Sequence, residues 1–249
     1  MHSYNLVFLF LLSTLSSAAW GQTTSLPSGT TINSYARVTS ISSTSVQVSS
    51  STGFSANSRA LIIQMKGASV NRTDSARHGD VNSYGTAGRF EYVKVTNVAG
   101  NVLTLSAAPT VSFSTSGSVQ IVTVPVYDNL TMTQNVVPKT WDGQSGGIVA
   151  FDVLGTLSLN ANVDVTGRGL QGGALAATTP FDICASDQTN YTSSVQAGTG
   201  NKGEGIVPDS ASHFARRGHN GNGGGGGNIT DAGGGGGGNV GAGGLGGRE

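Results

Sequence analysis

Hydrophobic and polar residues alternate from Ser45 to Val48, and a compact apolar run follows from Ala60 to Met65. In the segment Glu91 to Val98 the alternation places Glu91, Val93 and Val95 on one face, with Tyr92, Lys94 and Thr96 on the other. Ala99-Gly100-Asn101 then supplies turn residues before Val102-Leu103-Thr104-Leu105, which predicts a hairpin across Gly100. A further strand is expected from Val119 to Val126, ending at Pro125 and the turn near Asp128 and Asn129. Between Gly67 and Gly88 the chain becomes polar and carries Arg72, Asp74, Arg77, His78 and Asp80, the pattern of a long exposed loop inserted in the sheet.

A second β segment begins after Trp141-Asp142-Gly143. Gly146-Gly147 precedes a strand from Ile148 to Val153, and Gly155 separates it from Thr156 to Val165. Val149, Phe151, Val153, Leu157, Leu159, Val163 and Val165 share one parity, while Asp152, Asn160, Asn162 and Asp164 share the other. The apolar set is therefore expected inward and the polar set outward. Short strands with Gly or Asn at the corners suit the coils of a β-solenoid, and a β-sandwich edge has the same pattern.

The two ends of the chain have different textures. Leu6 to Leu12 is a short uncharged apolar run, well below the ~20 residues of a membrane span. Followed by Ala19-Trp20-Gly21, it reads as a signal peptide over residues 1–21, with the mature start at Gln22, although the n-region lacks Lys and Arg. Residues 22–35 are expected to be a flexible mature N-terminus. Apolar periodicity fades beyond Gly167, residues 174–217 read as mixed loop, and residues 218–249 form a glycine-rich segment expected to be truncated. Gly occupies 18 of the 30 positions from Gly218 to Gly247, and Gly227-Asn228-Ile229 recurs as Gly238-Asn239-Val240. Such tracts either stay flexible coil or pack side by side as three-fold polyglycine helices. The recurring Ile229, Val240 and Leu245 favour the ordered packing.

Composition sharpens the β reading. Charged residues are 10% of the chain, Lys plus Arg equals Asp plus Glu at 13 each, and there are 39 glycines. The zero net charge gives no electrostatic reason to expect nucleic acid as a partner, and no stable membrane span is expected once the signal is removed. Cys184 is the only cysteine, so an internal disulfide is excluded and stability must come from packing and sheet hydrogen bonds.

Strings that match reactive motifs fail their structural tests. Gly143-Gln144-Ser145-Gly146-Gly147 has the nucleophile-elbow spelling, but a strand rather than a helix is expected after it, so Ser145 reads as part of a glycine turn. Gly167-Arg168-Gly169-Leu170-Gln171-Gly172 spells a dinucleotide fingerprint, yet Gly173 and Pro180 break the helix that pyrophosphate would need. Gly198-Thr199-Gly200-Asn201-Lys202-Gly203 repeats that spelling with no strand before it. His78, His213 and His219 lie far apart in sequence, and His213 and His219 beside Arg216 and Arg217 read as a solvated basic patch. Asp152 and Asp164 are the carboxylates a β-helix polysaccharide-cleaving enzyme could use, but basic and acidic partners on neighbouring rungs are missing. The expectation is no catalytic residue, no cofactor and no metal.

Taken together, Val46-Gln47-Val48, Gly53-Phe54-Ser55, Leu61 to Gly67, Glu91 to Val98, Val119 to Pro125 and Trp141-Asp142-Gly143 with Gly146-Gly147 resemble the N-terminal region of large secreted gliding-motility-associated or adhesin-like proteins of bacteria. The resemblance spans roughly Val38 to Gly173, and Gln64-Met65-Lys66-Gly67 with Trp141-Asp142-Gly143 is its most distinctive part. The first half also looks like a small β-barrel of surface and fibre proteins, with Asn57-Ser58 where that barrel has Gly-Asp before its apolar strand. The expected fold is all-β: a β-barrel-like module over 36–127, solenoid- or sandwich-like strands over 128–173, then the glycine-rich region. The resemblance implies export to the cell surface and a role in attachment or gliding motility, with no catalytic residues; the activity expected of the chain is binding to extracellular surfaces or polysaccharides. The alternative is the front of a secreted β-helix carbohydrate-active enzyme with its active site beyond residue 249.

Overall fold

The computed structural model describes residues 23–26, 29–174, 190–194, 199–227, 233–238, 243–244 and 246. The signal-peptide segment, Cys184, Ile229, Val240 and Leu245 lie outside the described residues. The architecture is all-β, with a single 3-10 turn, Thr115–Gly117, among the described residues.

Strand β1 (Thr23–Ser25) is followed by β2 (Tyr35–Ser42), β3 (Ser45–Val48) and β4 (Ser58–Gln64). A short antiparallel pair, β5 (Ser69–Val70) and β6 (Val81–Ser83), interrupts the sequence before β7 (Phe90–Ala99), β8 (Val102–Leu105) and β9 (Val119–Val124). Six of these strands close into an antiparallel barrel in the order β2-β3-β8-β7-β4-β9. Its interior is the cluster of Val38, Val46, Phe54, Ile62, Val95, Leu103 and Ile121 with their neighbours, supplied by alternate positions of each strand. Closure leaves no free edge, so the barrel needs neither disulfide nor charge to block edge pairing.

The predicted hairpin is present. Ala99 pairs with Val102 across Gly100-Asn101, and Gly100 takes the positive φ (+54°) that a mirror-image hairpin turn requires. Asn57 also adopts a left-handed φ of +62°, which Asn tolerates better than most residues, at the turn before β4. Strand β9 is buried on both faces. Val119 and Ile121 face the barrel interior, whereas Val122 and Val124 meet Leu61, Ala150, Ile148 and Tyr35 outside it.

The remaining strands are β10 (Val126–Tyr127), β11 (Asn129–Met132), β12 (Asp152–Val153) and β13 (Leu157–Leu159). Here pairing is parallel: β1-β11-β13 form one sheet and β10-β12 another. Asn129 Oδ1 accepts the Thr156 amide (2.8 Å) and Asn135 Oδ1 the Asn162 amide (3.1 Å), each across 27 residues. One side chain thus satisfies a corner amide of the following rung, and successive rungs stack in register. Of the two arrangements compatible with the sequence, these strands adopt the parallel stack of a solenoid.

Thr23 lies against Asn129 and Thr30 against Val136, so the first rung sits directly on the second although 106 residues separate them. The barrel is therefore an insertion between two consecutive rungs. This corrects the expectation of a flexible segment over 22–35: Thr23–Ser25 is paired, Leu26 is buried with Leu130, Met132 and Val136, and Ile32 packs against them. Little in that stretch marks it as a strand by itself. Its order comes from a partner remote in the chain.

Third-rung side chains differ from the simple inward reading. Leu130, Met132 and Val136 are fully buried, but Leu157 and Leu159, next in the same stack, are 40% and 57% exposed, because no fourth rung covers them among the described residues.

Candidate functional site

The polar segment between Gly67 and Gly88 is not merely an exposed loop. Its Ala68 and Val70 pack with Val207 and Ile206, and Gly67 and Ala68 both donate their amides to the Ile206 carbonyl. His78 and Gly79 are buried as well. A Cβ at Gly79 would lie 2.1 Å from the His219 carbonyl oxygen, so glycine is required for that approach. Local periodicity could not reveal this face, since the chain that covers it lies well over a hundred residues away.

At the end of β4, Lys66 leaves the barrel with its side chain only 1% exposed. Its ammonium donates to Glu204 Oε1 (2.9 Å) and to Asp209 Oδ2 (2.8 Å). The other oxygen of Glu204 accepts the indole N–H of buried Trp141 (2.7 Å) and the amide of Gln171 (2.8 Å). One carboxylate therefore gathers the barrel through Lys66, the solenoid through Trp141 and Gln171, and the chain around Gly203 and Gly205. The two most distinctive stretches of the sequence, Gln64 to Gly67 and Trp141 to Gly143, meet here. Sequence reasoning missed Glu204, although an isolated acid between glycines in a chain with 10% charged residues is itself a signal. A buried ammonium must find an anion, and Glu204 is the more buried of the two that Lys66 reaches.

Buried amides reinforce the same junction. Gln120 donates to the Gly146 carbonyl (3.0 Å) and accepts its amide (2.8 Å). Asn33 donates to the carbonyls of Thr123 and Ala150, and accepts the Ala150 amide. The Tyr35 hydroxyl donates to the Ile148 carbonyl, and burial raises its pKa to about 12, so it remains a donor throughout the physiological range. Arg59 on the barrel pairs with Asp152 on the solenoid.

Lys202 anchors a second cluster. Its ammonium donates to the carbonyls of Tyr191 (2.6 Å), Arg216 (3.0 Å) and Gly218, three acceptors for three N–H bonds. Burial, then Arg72, depresses its pKa to about 7, with Asp74 acting in the opposite direction and Arg216 adding to the depression. His78 and His213 stand beside it with ring centroids 5.7 Å apart. The two histidines, distant in sequence, are thus neighbours in the fold. Nδ1 of His78 faces the Thr73 carbonyl and Nδ1 of His213 faces the Thr192 hydroxyl. Burial, then nearby cations, holds both below the ordinary histidine value; Lys202 precedes Arg72 for His78, and the reverse holds for His213. Arg216 is buried, whereas Arg217 is exposed and lies 4.0 Å over the Tyr191 ring, so the expected solvated basic patch is packed only in part. Among the described residues, no group of three or more His, Cys, Asp or Glu is placed to hold a metal ion.

Ser145 sits in a turn organised by Asp142, whose Oδ1 accepts the amides of Gln144 and Ser145. Lys139 Nζ reaches both Ser145 Oγ (2.9 Å) and Asp142 Oδ2 (2.6 Å). Burial alone would raise the Asp142 pKa, but Lys139 and the two amides outweigh it and hold the carboxyl below its usual value. Lys139 thus ties Asp142 and Ser145 together within the turn. The fingerprint at Gly167 to Gly172 likewise forms no helix. Its Arg168 carbonyl accepts the Trp141 amide, and Gln171 serves the Glu204 joint. Asp164 is partly exposed, and its carboxyl is held low by hydrogen bonds from Thr166.

The glycine runs meet backbone to backbone. Gly203 donates to Gly224, Gly235 to Gly225 and Gly236 to Gly244, each at 2.8–2.9 Å. A Cβ at Gly224 would lie 2.0 Å from the Gly235 carbonyl oxygen, and one at Gly226 2.0 Å from that of Gly200.

No known family and no curated protein matches the sequence. Solved structures with local similarity include the Gp54 tailspike of Acinetobacter baumannii bacteriophage AP22, determined with an A. baumannii capsular saccharide: 17% identity, TM-score 0.29, covering 55% of this chain and 20% of that one. The tailspike gp49 of Pseudomonas phage LKA1 aligns at 20% identity and TM-score 0.24, over 42% of this chain and 19% of that one. For the tailspike gp61 of Pseudomonas phage phi297 the values are 14% and 0.25, over 53% and 21%. The chain thus spans about a fifth of the length of each. No helix among the described residues is long and apolar enough to cross a membrane.

Proposed function

We propose that this chain is an exported structural and adhesive module of a bacterial cell surface, acting by binding extracellular surfaces or polysaccharides rather than by catalysis. Attachment or gliding motility is the cellular setting that its sequence resemblance suggests. The observation that carries the reading is the mounting of the barrel between consecutive solenoid rungs. A solenoid is a stiff stack, and a closed barrel inserted in it is held out as a side module in fixed orientation. The ionisable groups that converge, at Glu204, Lys202 and Asp142, are taken up by one another and by backbone, which suits joints better than a reacting centre.

Two measurements test this together. Surface labelling of intact cells should detect the chain outside the cytoplasm, and the purified protein should be retained on immobilised polysaccharides. Retention on none of a broad panel, or a strictly cytoplasmic location, overturns the reading. Steady depolymerisation of a retained polysaccharide by the same preparation would instead favour a carbohydrate-active enzyme.

A further inference from the structure

On β7 the odd positions Val93 and Val95 face the barrel core, and the even positions Phe90, Tyr92 and Lys94 face outward. Phe90 and Tyr92 are 56% and 58% exposed, yet their rings are in contact, centroids 6.2 Å apart at an interplanar angle of 86°. Strand propensity alone accounts for one exposed aromatic residue, and isolated apolar side chains on a surface need no explanation. A contacting pair on one face is different, because it holds two rings in fixed positions with their outer surfaces in water.

The surroundings show where the cover stops. Tyr92 lies opposite Leu61 on β4, and Leu61 is buried beneath the solenoid residues Ile148 and Ala150. One strand further on, the solenoid no longer covers the barrel wall. Lys94 continues the outward row opposite Arg59, which is already paired with Asp152, whereas Lys94 has no ion-pair partner among the described residues. The carboxylate nearest in sequence, Glu91, points away and is occupied by the amides of Thr110 and Val111 and the Thr110 hydroxyl.

We propose that Phe90, Tyr92 and Lys94 form a docking platform for an acidic polysaccharide. The C–H face of a pyranose ring packs on an aromatic ring, the Tyr92 hydroxyl can bond the sugar hydroxyls at its rim, and the Lys94 ammonium matches a uronate carboxylate. The commitment to an acidic chain rests on that cation, which forms no ion pair among the described residues, the Asp152 carboxylate being taken by Arg59. The platform gives a location and a ligand class to the polysaccharide binding proposed above, and rests on that reading.

The test uses the full chain with polygalacturonate as the acidic probe and dextran as the neutral one. Wild type should bind polygalacturonate more tightly than dextran. F90S/Y92S should weaken polygalacturonate binding by about tenfold or more while the far-ultraviolet dichroism of the folded barrel is retained, because both side chains lie outside the core. K94Q should remove most of the preference for polygalacturonate and leave dextran binding unchanged. Wild-type affinity in F90S/Y92S overturns the platform and leaves polysaccharide binding elsewhere on the chain intact. Preference for dextran, or an unaltered preference in K94Q, overturns the acidic ligand. Failure of wild type to bind any polysaccharide overturns both the platform and the adhesive reading.

Discussion

The barrel and the glycine-rich unit are stabilised by opposite materials. Inside the barrel, a continuous apolar cluster from Ala36 to Ile121 is removed from water and the sheet closes on itself. Among the described residues after Asn190, only Val207 and Ala215 are buried apolar side chains; the rest of the order comes from Lys202, Glu204 and hydrogen bonds between glycine backbones. Burial of apolar area is non-directional and tolerates adjustment. Hydrogen bonding between bare backbones depends on geometry, and a single methyl group can separate the strands. The junction at Glu204 joins these two kinds of structure, so damage there should exceed damage within either.

Glu204→Ala is therefore expected to have the largest effect. It leaves the Lys66 ammonium, the Trp141 indole N–H and the Gln171 amide without their shared acceptor, at a cost of about 3–5 kcal/mol for a broken buried pair. Lys66 retains the more exposed Asp209, so Asp209→Asn alone should cost far less. Both are measured by equilibrium denaturation.

Leu103→Ala in the barrel comes next, at about 2–5 kcal/mol from lost transfer energy and residual cavity. Its effect should stay within the barrel, leaving amide exchange at Gly224 to Gly226 unchanged. Gly226→Ala probes the other material. Its Cβ would stand 2.0 Å from the Gly200 carbonyl oxygen, so overpacking of about 1–3 kcal/mol is expected, whereas Gly244→Ala, with no atom within 4 Å of the added methyl, should be close to silent. Equal effects at the two positions would mean that the runs do not pack closely.

The smallest effect is pH dependence. His78 is fully buried and its folded pKa lies below the ordinary 6.5, through burial first and Lys202 next. Its protonation favours the unfolded chain. The His78 contribution is therefore complete above about pH 6.5 and is lost as the pH falls from there through the depressed folded value. His213 shifts in the same direction. Melting temperatures between pH 7.5 and pH 5 should fall in wild type and flatten in His78→Asn.

Much of the barrel was legible because its signals are local. The Gly100 turn and the two-residue period of Val93 and Val95 need no information from elsewhere in the chain. The solenoid was half legible: the parity of Val149, Phe151 and Val153 identified their inner face, but parallel pairing depends on the side chains of Asn129 and Asn135 meeting amides 27 residues on. Thr23–Ser25 reads as a linker because its partner lies beyond an entire barrel. The polar joints were least legible. Lys66 and Glu204 are separated by 138 residues, and neither carries a periodic signal; a charge adjoining an apolar strand and a lone acid among glycines were the traces available.

Equilibrium unfolding followed in parallel by Trp141 emission and by far-ultraviolet circular dichroism tests the Glu204 junction most directly. Trp141 is 1% exposed and reports on the joint, while the dichroism is dominated by the barrel strands. The two probes should give one coincident transition in wild type and separate in Glu204→Ala, with the indole signal lost first. Separate transitions in wild type, or coincident ones at an unchanged midpoint in the variant, would contradict a single carboxylate holding barrel, solenoid and glycine-rich unit together.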